Sequence, residues 1–394
     1  MKYVILIVDG AAGLPMPDKN NKTSLELANT PNLDALAKQG SLGLARTVPP
    51  GMEPSSACAC MSVIGYDPVV YYKGRASIEA KSLGIEIGPG EAVFRCNLVN
   101  TANGMMNDYS GGHIGTEEAA RIIKSLNEKL GADDIIFYPG VSYRHILKLK
   151  GREESLEAKC TPPHDIPGKP VKNYLPQGLG SGVLLDLMAR SETALRSDKI
   201  NLERIKRGSL PITTIWLFWG SGRVPEMPAF QKAYGLNAAM TSAVDLLKGL
   251  AKMAGMDILD IKGLTDGMDN DNAGQAEGAL AALKKHDLVV IHIEAPDEAG
   301  HGGHAAEKVR AIEDIDREVV GRIREYKGEL RVLVMPDHPT PVSLRTHIGE
   351  PVPFLMWGSG IPSNGAARFT EAEAKRTGNF IADGYKILQK LLGK

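Results

Sequence analysis

Leu288-Val289-Val290-Ile291-His292-Ile293 is followed by a charged run with helical apolar spacing, Ala305 to Tyr326, and then by Val332-Leu333-Val334-Met335. The two short apolar runs have the length and composition of buried strands. The segment between them carries an apolar stripe beneath dense mixed charge, as an amphipathic helix does. Strand, helix, strand in that order is a βαβ crossover, the connection that joins parallel strands. Near the start of the chain, Tyr3-Val4-Ile5-Leu6-Ile7-Val8 reads as another buried strand. Thr30-Pro31-Asn32 opens a helix, with Thr30 the expected N-cap and Pro31 in the first helical position. The chain is therefore read as α/β, with a mainly parallel sheet and helices on both faces.

The middle has a different texture. Val93 to Asn100 and His145 to Lys150 alternate like half-exposed antiparallel strands. Between them Thr116 to Leu130 reads as a helix, with Thr116 expected to cap it and Glu117 and Glu118 in its first turn. Thr161 to Gly168 is too rich in proline for either regular element. A chain of 394 residues favours two domains. The expected division is a core made of residues 1–91 and 179–394, with a smaller α+β domain, 92–178, inserted in it.

Bulk composition removes several classes of function. Lysine and arginine total 46 against 47 acidic residues, so nothing global draws the chain to nucleic acid or anionic lipid. A local basic patch suits a small anionic substrate instead. No run approaches the ~18 apolar residues of a membrane span, and the N-terminal apolar run lacks a cleavage signature. Four cysteines in a chain of this length do not form a disulfide framework, and Cys58 and Cys60 are too close to bridge. A reducing cytoplasm is the expected compartment.

Ligands of a parallel α/β sheet gather at the carboxyl ends of its strands. Three such ends carry metal-type side chains. One is Asp9-Gly10. Another runs from Glu294 through Asp297 and His301 to His304. The third is Asp337-His338, with His347 shortly after. Singly, each has a plain reading as a turn former, a cap or a satisfied core residue, and His292 within its apolar strand is read as core. Together they suggest a shared ligand that offsets the cost of burying carboxylates and imidazoles. Mixed carboxylate and imidazole donors suit Mn²⁺ or Zn²⁺, and a pair of metals ~3.5–4 Å apart would clamp an in-line phosphoryl displacement. The loop Pro49 to Ser62 supplies serines at a helix start, where backbone N–H groups attract phosphate. Such a serine is either a cap or a nucleophile.

The chain resembles the archaeal-type, cofactor-independent phosphoglycerate mutases of the alkaline-phosphatase superfamily over essentially its whole length. The resemblance is carried by Val8-Asp9-Gly10, Pro49 to Pro68, Tyr72-Lys73-Gly74-Arg75-Ala76, Phe94 to Val99, Asp108 to His113, Tyr138 to His145, Thr161 to Gly168 and the two metal-bearing segments. It implies an alkaline-phosphatase-like core with a lid. It further implies two divalent metal ions, Mn²⁺ first with Zn²⁺, Co²⁺ or Mg²⁺ as alternatives, and no 2,3-bisphosphoglycerate. By position, Asp297, His301 and His347 would hold one metal and Asp9, Ser56, Asp337 and His338 the other, with Ser56 the nucleophile. Arginine's planar fork suits phosphate and carboxylate. Arg75, Arg95, Arg144 and Arg223 are the candidates for substrate binding, with His113, His145 and His164 as supporting donors. The expected partner is a small phosphorylated substrate, and a homo-oligomer is compatible with the sequence.

One departure bears on the outcome. The family's nucleophile loop usually reads glycine-serine-aspartate with an asparagine three residues on, whereas these positions hold Ser55, Ser56, Ala57 and Cys60. A carboxylate and an amide near the phosphoryl group are therefore missing. Interconversion of 3- and 2-phosphoglycerate through phosphoserine is the first expectation. A homoserine-kinase-like phosphotransferase and a metal-dependent phosphomonoesterase are the alternatives, and a non-catalytic metal- and phosphate-binding relative is disfavoured by the complete ligand set. No P-loop motif is present.

Overall fold

Lys2–Val8 lies within an eight-stranded sheet, flanked by Leu288–Ile293 on one side and Leu330–Met335 on the other, both parallel to it. Val4 to Ile7 are wholly inaccessible, as a strand buried on both faces requires. The computed structural model describes all 394 residues. In spatial order the sheet runs Phe380–Ile381, Ser41–Ala45, Val352–Gly358, Leu330–Met335, Lys2–Val8, Leu288–Ile293, Ala238–Thr241, Asp257–Ile258. Only Val352–Gly358 pairs antiparallel with its neighbours. The register sets Val8 beside Ile293 and Ile7 beside Met335, so the chain leaves three adjacent strands at nearly one level. Asp9, Glu294 and Asp337 follow.

The crossover helix begins as Ala305–Ile315, passes through a π-helical turn, Asp316–Val320, and ends as Gly321–Glu325. Its Ala311, Ile312, Ile315, Val319 and Ile323 pack with Leu33 and Leu36 of the helix Pro31–Gln39 in the sheet's core. That second helix does begin at Pro31, but Thr30 makes no cap, and its hydroxyl is buried without a hydrogen-bond partner. The Asp316 carboxylate takes over, accepting from the N–H groups of Asn32 at 3.1 Å and Leu33 at 2.6 Å. A carboxylate also suits the positive end of the helix dipole.

The chain divides into two compact units, Met1–Tyr72 with Glu226–Lys394, and Lys73–Pro225. The second is wider than the 92–178 read from the sequence, because Thr214–Ser221 pairs with Glu91–Ala102 and the helix Arg75–Ser82 packs Ala76 and Ala80 against Val93 and Ile146. Its five-stranded sheet is antiparallel, with Glu91–Ala102 also pairing Met105–Asp108 and Arg144–Lys150, and Ile135–Tyr138 beyond the last. Thr116–Leu130 is helical as expected, but Gly115 is its N-cap. The Thr116 hydroxyl instead accepts from the Ser142 N–H at 3.0 Å.

Candidate two-metal active site

Asp9 ends its strand by donating its N–H to Ile293, and Gly10 then turns with φ +60°. A side chain at Gly10 would put a Cβ 2.7 Å from the Asp297 Cα, so glycine is required both by conformation and by the approach of the next loop. The Gly10 N–H donates to Asp337 Oδ1 at 3.1 Å, and the His338 N–H donates to the same oxygen at 2.8 Å. Asp337 is thereby fixed by backbone donors on one oxygen, leaving Oδ2 toward His338 Nε2, 3.2 Å away. Asp9 Oδ1 lies 3.7 Å from the same nitrogen. Asp9, Asp337 and His338 are all wholly inaccessible.

Ser56 opens the helix Ser56–Val63, and its Oγ is 3.1 Å from His338 Nε2. The neighbouring Ser55 is the N-cap, its hydroxyl accepting from the Cys58 N–H at 3.4 Å. Of the two serines, Ser55 therefore takes the capping role. Cys60 lies on the same helix, and its thiol donates to Asp337 Oδ2 at 3.5 Å. All four cysteines are free.

The helix Ala295–Gly302 brings Asp297 and His301 together one turn apart, with Asp297 Oδ2 3.2 Å from His301 Nε2. His347 Nε2 is 3.5 Å from Asp297 Oδ1, and its ring lies 4.0 Å from that of His338. Asp9, Ser56, Asp297, His301, Asp337, His338 and His347 therefore form one contiguous cluster. Two of its triads, Asp9 with Asp337 and His338 and Asp297 with His338 and His347, have donor atoms within 4.8 Å of one another.

The electrostatics fit divalent cations. Burial, and then the charges of Asp337, Glu294 and Asp297, push the Asp9 carboxyl well above the usual range. Its Oδ1 is buried with no hydrogen-bond partner. Burial alone would lower the His301 ring, but contact with Asp297 outweighs it and raises the ring to about 9. Burial pushes the His338 ring down to about 4. A divalent cation offsets clustered carboxylates, and imidazole and carboxylate are suitable donors for it.

Two residues outside the seven adjoin the cluster. His292, read as core, is buried, but its Nε2 lies 2.7 Å from Asp9 Oδ2 and its Nδ1 3.0 Å from Ser242 Oγ. Glu294 Oε2 is 3.4 Å from the same Nε2 and is buried without a hydrogen-bond partner. Placement at a strand end was the available signal for Glu294, and none marked His292. His304 is exposed and pairs with Glu307.

The other candidates lie in the second unit. Arg75 Nε donates to Glu79 at 2.8 Å and its guanidinium sits 4.4 Å from the Trp219 ring, while the buried Arg95 donates to the other Glu79 oxygen and to Asn97. Burial would raise the Glu79 carboxyl, but Arg95 and Arg75 hold it below its ordinary value. Arg144 stands opposite Asn97 in the sheet, on the same face as Arg95 and Ile146. His145 stands opposite Cys96, on the face that carries Leu147 and Leu149 into the core. Its Nδ1 accepts the Gly140 N–H at 3.0 Å, and its Nε2 is buried without a partner. His113 and His164 both lie against aromatic rings, His164 5.4 Å from Trp219 and His113 6.4 Å from Tyr143. Arg223 is exposed beyond the strand Thr214–Ser221.

Residues 37–201 match the family model described as 2,3-bisphosphoglycerate-independent phosphoglycerate mutase. A protein of that name from Methanothrix thermoacetophila is 46% identical over 396 residues, covering 100% of both chains. One from Methanosarcina barkeri is 44% identical over 95% of each. Among solved structures, the cofactor-independent phosphoglycerate mutase of Thermoplasma acidophilum covers 100% of this chain and 99% of its own at 26% identity, with a TM-score of 0.66. A Pyrococcus horikoshii protein aligns over 100% of this chain and 96% of its own with a TM-score of 0.83, also at 26% identity. Identity at this level from end to end leaves one assignment: the chain belongs to the 2,3-bisphosphoglycerate-independent phosphoglycerate mutase family.

Proposed function

We propose that this protein interconverts 3-phosphoglycerate and 2-phosphoglycerate through a phosphorylated Ser56. The observation that carries the reading is Ser56 Oγ, 3.1 Å from His338 Nε2 at the edge of the seven-residue cluster, with its neighbour Ser55 acting as the helix cap. The names of the full-length relatives point the same way.

In this reading Asp297, His301 and His347 hold one divalent cation, and Asp9, Ser56, Asp337 and His338 hold another. Bound cations would lower the pKa of the Ser56 hydroxyl and neutralise charge on the transferring phosphoryl group. Mn²⁺ is the preferred ion, since carboxylate and imidazole donors dominate. Ser56 Oγ gives up its proton and bonds to phosphorus as the bond to the glycerate 3-oxygen breaks, and that oxygen takes up a proton to become a hydroxyl. The 2-hydroxyl then gives up its proton and bonds to phosphorus as the Ser56 Oγ–P bond breaks, and Ser56 regains its hydroxyl. Such chemistry depends on positioning and charge neutralisation. Arg144 is the proposed anchor for the substrate carboxylate. Arg75 and Arg95, already paired with Glu79, shape the surrounding charge. The proposed compartment is the cytoplasm, and no helix is long and apolar enough to cross a membrane.

Ala57 and Cys60 motivate one competing reading. Both are buried beside the nucleophile, where the family pattern has a carboxylate and an amide, and a weakened hold on the substrate would favour hydrolysis. Phosphorus NMR of the enzyme with Mn²⁺ and 3-phosphoglycerate separates the outcomes. Formation of 2-phosphoglycerate is expected. Release of inorganic phosphate alone would replace the mutase with a phosphomonoesterase, and turnover only with ATP and homoserine would replace it with a kinase.

A further inference from the structure

Thr340 lies two residues past His338 and is wholly inaccessible. Its hydroxyl donates to Asp297 Oδ1 and sits 3.3 Å from His338 Nδ1. A hydroxyl has one proton. With that proton committed to the carboxylate, the oxygen faces His338 as an acceptor, so His338 carries its proton on Nδ1. The Nε2 lone pair is then directed toward Ser56, Asp9 and Asp337. One side chain thus touches a ligand from each half of the metal cluster and sets the tautomer of one of them.

The chain holds Thr340 from several directions. Its N–H donates to the Ala12 carbonyl at 3.0 Å. The amine of Lys308, itself wholly inaccessible, donates to the Thr340 carbonyl at 2.7 Å and to Ala12 at 3.0 Å. A Cβ on Gly300 would come within 2.9 Å of the Thr340 methyl, so the glycine leaves room for that methyl and little else. An ammonium in such a place is costly to bury and is retained only where its hydrogen bonds are good. Here they tie the loop after Lys2–Val8 to the loop after Leu330–Met335.

We propose that Thr340 is a positioning residue that couples the two metal positions, its hydroxyl bridging Asp297 of one set and His338 of the other, with Lys308 holding the bridge in place. The inference rests on the two-metal reading of the cluster. It predicts that losing the hydroxyl weakens both metals together, although Thr340 ligates neither.

The test is calorimetric titration of metal-stripped full-length protein with Mn²⁺, for the unchanged chain and for Thr340→Val, Thr340→Ser and Thr340→Ala. Two binding events are expected in the unchanged chain. Thr340→Val and Thr340→Ala should each weaken both events by about 10–100-fold, while Thr340→Ser stays within about threefold. Circular dichroism of the metal-free proteins checks that each variant folds, and Thr340→Ala answers the question should the valine fit poorly. Wild-type affinity at both sites in the hydroxyl-free variants would overturn the coupling. Weakening of a single event would reduce Thr340 to the support of one ligand and overturn the bridge. A serine variant as weak as valine would assign the effect to methyl packing. Fewer than two events in the unchanged chain would overturn the two-metal reading itself.

Discussion

His301 Nε2 and His347 Nε2 face each other at 2.8 Å, while the Nδ1 of each ring lies against a backbone carbonyl, Arg345 at 3.0 Å and Pro54 at 3.3 Å. A ring that donates from Nδ1 and is neutral presents a lone pair at Nε2. Two such lone pairs repel at this distance unless a proton or a cation lies between them. In the metal-free protein the proton resides on His301, whose pKa stands at about 9 against an ordinary 6.5. Its stabilising contribution is fully present below pH 6.5 and disappears as the pH rises through about 9. A metal must displace that proton, so Mn²⁺ affinity is expected to climb with pH at most about tenfold per unit up to that point. At a concentration of 100 times Kd, each bound ion adds about 2.7 kcal/mol to stability. Melting curves with and without EDTA, together with titrations at pH 7, 8 and 9, check both statements. Affinity independent of pH would remove His301 from the ligand set.

Replacing the two adjacent serines separates cap from nucleophile. Ser56→Ala is expected to abolish turnover and the phosphorylated form of the enzyme detected by intact mass. Ser55→Ala removes the hydroxyl that accepts from Cys58 and should cost about 1 kcal/mol of stability with turnover largely retained. Full activity in the Ser56 variant would move the nucleophile elsewhere.

Glu79 lies between Arg75 and Arg95 in the second unit, its side chain 11% exposed. Its carboxyl is held below the ordinary 4.5. The unfolded chain therefore binds its proton first, and the stability this group contributes is present above pH 4.5 and lost as the pH falls below it. Glu79→Gln removes the charge paired with the buried Arg95 guanidinium and is expected to cost about 3–5 kcal/mol. Urea denaturation between pH 3 and 7 should show the acid-dependent loss in the unchanged protein and a flatter profile in the variant. Equal stability of the two at neutral pH would contradict the role given to this carboxylate.

Much of this arrangement was legible because burial on both faces leaves continuous apolar runs, as in Tyr3–Val8, Leu288–Ile293 and Val332–Met335, and because ligands follow such runs in a parallel sheet. The parts that were not legible are set by distant partners. The cap expected from Thr30 is supplied by Asp316, 283 residues from Leu33 in sequence. The second unit extends past 92–178 because Thr214–Ser221 returns to pair with Glu91–Ala102. Thr340, His292 and Lys308 carry no local pattern that separates them from ordinary core or surface residues. Their significance comes only from the side chains that the fold sets beside them.

Strand parity separates two neighbours in the motif Tyr143-Arg144-His145. Arg144 shares a face with Arg95, whereas His145 shares one with Leu147 and Leu149 in the core. Both are candidates for substrate binding, and the alternation sets them on opposite faces of the sheet. Arg144→Met is expected to raise KM for 3-phosphoglycerate at least tenfold, with the melting temperature nearly unchanged, since a charge-assisted hydrogen bond is worth roughly 1.5–3 kcal/mol. His145→Leu would leave the Gly140 N–H without its acceptor and should cost about 1–3 kcal/mol of stability while KM stays the same. Steady-state kinetics and melting curves on both variants distinguish the two roles. A histidine variant with raised KM and unchanged melting would return His145 to the substrate.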